Sequence, residues 1–355
     1  MLEKFAAYRI QILMLTSEQL KSWIPKLANQ RILVIGDVIL DEYLIGRTTR
    51  LSREAPVPVL EFESRQLIPG GAANPAANIV KLGSKAIQVG VIGVDTAGTT
   101  LWQVLQALGI EVNTLLKDGT RPTTVKTRIM AQMGLRFPQQ VARLDTLSRE
   151  PISAAVEGRL RELIQEKIAE IDAILVSDYH GGLLTDSLVS AVRQQAGSIL
   201  LTADAQGQLD KYVQFSLVKC NADDARDYLR RDLHGDDDFA AAARELYDRL
   251  RLTGAMVITR GPEGATVAAA DGEIGHCRAP AVTDVYDVVG AGDTAIAVLT
   301  LAAAAGVPYT EATSLANYAS GLVVRRVGNY SPTPEELMWA LETWGQTPPR
   351  EQPSI

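Results

Sequence analysis

Short, nearly unbroken apolar stretches recur along this chain and end in Gly, Asp or Ser. Residues 31–36, Arg-Ile-Leu-Val-Ile-Gly, are the first, and 86–91, 173–176, 199–203, 217–218 and 255–259 repeat the pattern. Runs this short without polar alternation are typical of strands covered on both faces. Between them, apolar positions take helical spacing at 74–82, 96–108, 152–169, 185–195 and 237–251. Strand and helix in alternation predict a doubly wound α/β fold, a mainly parallel sheet flanked by helices.

Two segments break the alternation. In 44–63, Pro56 and Pro58 exclude a central strand but suit an edge strand. In 123–145, β-branched residues are followed by Arg128, Arg136 and Arg143 at intervals. Both segments suit a small β-sheet lid beside the main sheet. Open parallel sheets bind ligands outside the carboxyl ends of their strands, so the lid is expected there. Ahead of the block 31–345, residues 1–30 read as an N-terminal extension. A helix starts near Ser17 and runs towards Leu27; residues before Met14, a candidate start, have no evident structural role. The Pro-rich, polar 346–355 reads as a loose tail.

Composition narrows the function. With 46% apolar and 22% charged residues among 355, the chain has ordinary globular usage rather than that of a disordered one. Lys and Arg number 35 against 42 Asp and Glu, a net charge of −7. That excludes a nucleic-acid-coating surface and leaves room for a small phosphorylated ligand. Cys220 and Cys277 are too few for a disulfide framework, and with His180, His234 and His276 they show no metal-ligand spacing. The longest apolar run, 295–307, is shorter than the roughly 18 residues of a membrane span and reads as a buried helix. With no secretory signal evident, a cytoplasmic location is expected, without membrane or nucleic-acid partners.

Three stretches carry candidate chemistry. In Asp287-Val-Val-Gly-Ala-Gly-Asp-Thr294, Gly290, Ala291 and Gly292 leave backbone N–H groups open at the start of an apolar helix, where the helix dipole attracts anions. Asp293 beside that anion site suits a base that takes a proton from an attacking hydroxyl; the alternative is a simple N-cap. Gly70-Gly71-Ala72-Ala73-Asn74 permits close backbone approach to a ligand, with Asn74 offering donor and acceptor, or is a plain loop before a helix. Asp37 and Asp41, at the end of the first strand, suit the hydroxyls of a polyol, or only turn chemistry.

In this order the three stretches resemble the signatures of the ribokinase (pfkB) family of carbohydrate kinases, over residues 31 to about 340. Gly70–Ala76 with Gly83 and Gly93 matches the N-terminal signature, and Asp287–Asp293 the C-terminal one. The resemblance implies ATP and Mg²⁺ as cofactors, Asp293 as catalytic base and the Gly290–Gly292 amides as anion hole. It places Asp37, Asp41, Gly70, Gly71 and Asn74 on the sugar. Asn221, Asp224, Arg260, Gly261, Gly264, Asn317 and Gly321 fall on the nucleotide, with Asp224 reaching the metal through water. It also implies a monovalent cation near the Asp287 loop.

Within the family, Gly36-Asp-Val-Ile-Leu-Asp-Glu-Tyr43, Leu51-Ser-Arg-Glu-Ala-Pro-Val-Pro-Val59, Ser177-Asp178-Tyr179 and Val285-Tyr-Asp-Val288 resemble the kinases of heptose 7-phosphate. That likeness implies transfer to C1 of a sugar already carrying a phosphate, for which Lys126, Arg128 and Arg143 on the lid are the candidate cations. The chain departs from that branch at four places. Asp204-Ala-Gln206 and Asp178-Tyr-His-Gly-Gly182 each lack a lysine, Asp224 replaces a glutamate, and Gly328-Asn-Tyr-Ser331 replaces a smaller Gly-Thr-x-Thr turn. The competing classes are a kinase for another sugar or nucleoside, and a regulator that keeps the fold without catalysis. A dinucleotide dehydrogenase is excluded, since no Gly-x-Gly-x-x-Gly follows the first strand. The long lid edge leads us to expect a homodimer through the lids.

Overall fold

The computed structural model describes residues 10–11, 16–132, 138–282 and 284–344; Met14, Arg136 and the expected 346–355 tail lie outside them. Ten strands form the main sheet. From one edge to the other they are Ile10–Gln11, Ile274–Cys277, Ala265–Ala269, Ala255–Thr259, Leu217–Asn221, Leu200–Asp204, Ala173–Ser177, Arg31–Gly36, Lys85–Gly93 and Leu115–Asp118. Ala265–Ala269 runs antiparallel to both neighbours, and the remaining pairings are parallel.

Each apolar run is continuous because its two faces are both covered. Ile32 and Val34 point into one core with Leu101, Ile296 and Leu315, while Leu33 and Ile35 point into the other with Leu160, Leu188 and Leu246. The same alternation divides Leu175 from Ile174 and Val176, and Val257 from Met256 and Ile258. Helix Ala291–Ala304, buried along nearly its whole length, is the central helix of the first core. No helix among the described residues is long and apolar enough to cross a membrane.

The chain enters the sheet at Arg31–Gly36, moves outward through Lys85–Gly93, and then returns to the other side of its first strand at Ala173–Ser177. The crevice between the carboxyl ends of Gly36 and Ser177 is therefore the topological switch point, where open sheets place ligands.

Four further strands, in the order Pro58–Gly71, Val38–Leu51, Thr124–Gln132 and Gln139–Thr146, make a separate lid sheet. Its strands begin sooner and end later than the 44–63 segment, so Asp41, Gly70 and Gly71 belong to its base. Pro58–Gly71 is an edge, consistent with its prolines. The described residues of the 1–30 stretch pack on the main sheet and its helices. Leu20, Ile24 and Leu27 are buried in the first core, Lys21 pairs with Glu342 at 3.1 Å, and Ile10–Gln11 lengthens the sheet edge.

Candidate active site

Helix Ala291–Ala304 begins at the switch point. Its N-cap is Gly290, in the left-handed region at φ 83°, with no side-chain cap. Asp293 is the third residue of the first turn, so it is not the N-cap; its carboxylate turns into the crevice instead. There Oδ2 accepts from Asn74 Nδ2 at 2.8 Å and Oδ1 accepts from the Tyr179 hydroxyl at 2.5 Å. Asp293 is only 5% exposed. Burial, followed by the nearby Asp204 charge, pushes its carboxyl up to about 6, against the downward pull of Tyr179, Asn74 and Lys219.

The orientation of Asn74 follows from a polar chain between two helices. Thr294 Oγ1 donates to Asn78 Oδ1 at 2.9 Å, and Asn78 Nδ2 donates to Asn74 Oδ1 at 3.1 Å. With its oxygen thus occupied, Asn74 can present only its NH₂ to Asp293. Helix Ala73–Lys81 starts directly after Gly71, whose φ of +56° and whose approach to Asp37 (an added Cβ would lie 2.3 Å from that carbonyl oxygen) leave room for glycine alone.

The first-turn amides of an α-helix have no intrahelical acceptors. Ala291 N–H makes a long bond of 3.4 Å to the Val288 carbonyl, while those of Gly292 and Asp293 have no backbone acceptor among the described residues. Beside them stands a residue that sequence reasoning passed over: buried Lys219, paired with Asp204 at 2.7 Å. A Cβ on Gly292 would lie 3.0 Å from its Nζ, so glycine makes space there for the ammonium next to the open amides. Tyr179 was also passed over as a site residue. Lys219 gave no signal beyond being a polar residue within an apolar strand, and Tyr179 none beyond its place in the Ser177–Tyr179 stretch.

The sugar-side carboxylates are more committed than expected. Asp37 accepts from the backbone N–H groups of Tyr179, Gly181 and Leu183 at 3.1, 2.9 and 3.3 Å, and so holds the loop that carries Tyr179. At Gly181, where a lysine is missing, a Cβ would come within 2.6 Å of Asp37 Oδ1. Asp41 is paired with Arg128 at 2.5 Å and accepts from Asn329 Nδ2 at 2.7 Å; a Cβ on Gly70 would fall 2.1 Å from its Oδ2. Arg128 is thus a buried structural cation rather than a free phosphate ligand. Lys126, two residues before it on the same face of its strand, lies over the Tyr179 ring at 5.1 Å and has no carboxylate partner among the described residues. Arg143 sits opposite Arg128 in register, half-exposed, and pairs with Asp145 at 2.9 Å.

Among the residues expected on the nucleotide, Asn221 caps helix Ala222–Leu229 and shares a capping box with Asp224, which also accepts from Gly207 N at 3.0 Å. Gly261 and Gly264 shape the turn after Ala255–Thr259, both at positive φ. Arg260 is occupied elsewhere: it pairs with Asp236 at 2.8 Å and with Glu263, and covers the Phe239 ring. Asn317 donates to the Cys277 carbonyl at 2.7 Å, and Gly321 packs under Pro280 and Trp344. No cluster of three or more His, Cys, Asp or Glu side chains among the described residues could hold a metal by itself.

The family model for the pfkB family carbohydrate kinases matches residues 29–336. The chain belongs to that family. Among curated relatives, the bifunctional protein HldE of Hyphomonas neptunium is 37% identical over 333 residues, covering 93% of this chain and 67% of the relative. The HldE protein of Geobacter metallireducens is 37% identical over 312 residues, covering 87% and 62%. The chain thus spans about two thirds of the length of these relatives. Of solved structures, phosphofructokinase-2 from Escherichia coli in complex with substrates and products superposes with a TM-score of 0.72 at 19% identity, covering 90% of this chain and all of that one. Ribokinase from Arabidopsis thaliana complexed with ribose and ATP gives 0.68 at 17% identity, covering 89% and 99%. These likenesses establish the ribokinase-like fold, and membership of the pfkB family makes the chain an ATP-dependent sugar kinase.

If Asp293 takes the proton, its protonation limits the rate on the acid side. In Tyr179→Phe the carboxylate loses one of the two hydrogen bonds that favour its charged form, so its pKa rises. The acid limb of kcat/KM is expected near pH 6 in the wild type and at higher pH in the variant. A pH–rate profile whose limb stays put or moves down contradicts this.

Proposed function

We propose that this pfkB family kinase transfers the γ-phosphoryl group of ATP to the C1 hydroxyl of a heptose 7-phosphate. The observation that carries the catalytic reading is Asp293: buried, raised towards neutrality, and aimed between Asn74 and Tyr179 beside open helix N-terminal amides. The substrate reading rests on the heptose-kinase-like stretches and on relatives named HldE.

In this reading the acceptor hydroxyl bonds to Asp293, which takes its proton as the oxygen attacks the terminal phosphorus. The amides of Gly292 and Asp293 and the Lys219 ammonium face the charge that develops on the transferring group. The space glycine leaves beside Lys219 suits a phosphoryl group. Asn221, Gly261, Gly264, Asn317 and Gly321 line the nucleotide side, and Asp224 would reach Mg²⁺ through water. When bound, Mg-ATP supplies the phosphoryl group and neutralises its charge. Lys126, with Arg143 behind it, faces the acceptor from the lid and would hold the distal phosphate. A closed lid excludes water and limits ATP hydrolysis. A monovalent cation near Asp287 and a homodimer through the lids complete the proposal.

ADP release with Mg-ATP, measured against sugars, sugar phosphates and nucleosides, tests it. Turnover is expected on heptose 7-phosphate above every other acceptor. Preference for an unphosphorylated sugar overturns the substrate assignment, and ATP binding without turnover on any acceptor favours a regulator.

A further inference from the structure

The turn Gly328-Asn329-Tyr330-Ser331 departs from the family's smaller version, and the structure gives its asparagine a definite place. Asn329 Nδ2 donates to Asp41 Oδ2 at 2.7 Å and to the Pro69 carbonyl at 3.0 Å. Both partners are acceptors, so the amide cannot be flipped without setting its oxygen against a carboxylate and a carbonyl. Its Oδ1 is consequently fixed, and it is buried without a hydrogen-bond partner. An orphaned buried acceptor is costly and calls for a donor from outside the protein.

The position of that oxygen says which donor. A Cβ on Gly290 would lie 2.8 Å from Asn329 Oδ1 and 2.9 Å from Asn74 Nδ2. The acceptor oxygen therefore borders the same small space as the amide that holds Asp293. Residue 290 is a glycine at positive φ, so no side chain of its own stands between these two groups. A sugar whose reacting hydroxyl sits on Asp293 carries the hydroxyl of the next carbon about a hydrogen bond's length from the first, the reach needed for a second partner beside Asn74. We propose that Asn329 is a specificity-determining residue, whose carboxamide oxygen accepts the hydroxyl vicinal to the one phosphorylated. For transfer to C1 this is the C2 hydroxyl. Arg128, by holding Asp41, and Asp41, by holding the Asn329 NH₂, are positioning residues for it. The inference rests on the kinase reading above and adds to it the group that reads the neighbouring carbon.

The test compares kcat/KM for heptose 7-phosphate with that for its 2-deoxy analogue, in wild type and in Asn329→Ala. The wild type is expected to prefer the natural sugar by about tenfold or more, and the variant by no more than about threefold. Each ratio is internal to one enzyme, so a general loss of activity from a loosened lid base cancels. A variant that keeps the full preference overturns the proposal and reduces Asn329 to a tether for Asp41. Should Asn329→Ala fail to fold, Asn329→Thr replaces it, with a shorter side chain whose oxygen falls short of the space and the same loss of preference expected. A wild type with no turnover on either heptose marks failure of the substrate reading instead. The same ratio is then read on the acceptor selected by ADP release and its vicinal deoxy analogue.

Discussion

Asp293→Asn is expected to lower kcat by roughly 10²- to 10⁴-fold, the usual contribution of a positioned general base, while leaving acceptor and ATP affinity within about threefold. Asparagine has the shape of the carboxylate and keeps an acceptor for Asn74, and the Tyr179 hydroxyl can turn to accept from the new NH₂. The fold has no reason to fail. Stability should move the other way from activity. A carboxyl raised to about 6 in the folded protein, against an ordinary value of 3.8, binds its proton more tightly when folded. Its ionisation therefore costs stability as pH rises from about 4 through 6, and that loss is complete above pH 6. Asp293→Asn removes the buried charge, so at pH 8 the variant should be more stable than wild type, by at most about 3 kcal/mol. Below pH 4 the difference should vanish. Urea unfolding at the two pH values, alongside steady-state kinetics, checks both halves. A variant that is inactive because it is unfolded contradicts them.

Breaking the lid-base ion pair has the second large effect. Asp41 and Arg128 are both buried, their side chains 5% and 9% exposed, and they contact at 2.5 Å. Arg128→Met leaves the Asp41 charge in the interior with only the Asn329 amide as partner. The expected loss is about 3–5 kcal/mol of stability, together with a raised KM for the sugar because Gly70 and Asn329 both rest on Asp41. The double change Asp41→Asn with Arg128→Met removes both charges and should recover most of the stability but not the KM. Urea unfolding of the two variants measures this. A single variant within about 1 kcal/mol of wild type would mean that the pair is solvated, as exposed pairs are.

Much of the fold was legible because burial on both faces leaves an unmistakable trace in strands such as 173–176 and 255–259. The strands Ala265–Ala269 and Ile274–Cys277 were not, since each is only four or five residues long and draws on small and polar residues, Ala, Thr, Gly and His, that give little hydrophobic signal even though they are buried. Residues 17–27 looked separate because their few apolar positions, Leu20, Ile24 and Leu27, do not announce which core they join. At the site, the Gly-rich stretches around 70 and 290 stood out because close approach demands glycine. The partners of charged residues did not. Arg128 read as a candidate phosphate cation on the lid, because its pairing with Asp41 arises only when two lid strands come side by side. Lys219 and Tyr179 become visible only when the switch point collects the ends of separate strands around Asp293. Asn329 was marked as a departure in a turn, yet its link to Asp41 spans 288 positions of sequence.

The central claim, that Asp293 drives phosphoryl transfer to C1 of a heptose 7-phosphate, is tested most directly by ³¹P nuclear magnetic resonance of that sugar with Mg-ATP. Wild type and Asp293→Asn are run side by side. The account predicts a new phosphate resonance coupled to the anomeric proton, formed by wild type and slowed at least a hundredfold by the substitution. Equal rates in the two enzymes, or ATP consumed while the sugar spectrum stays unchanged, would contradict it.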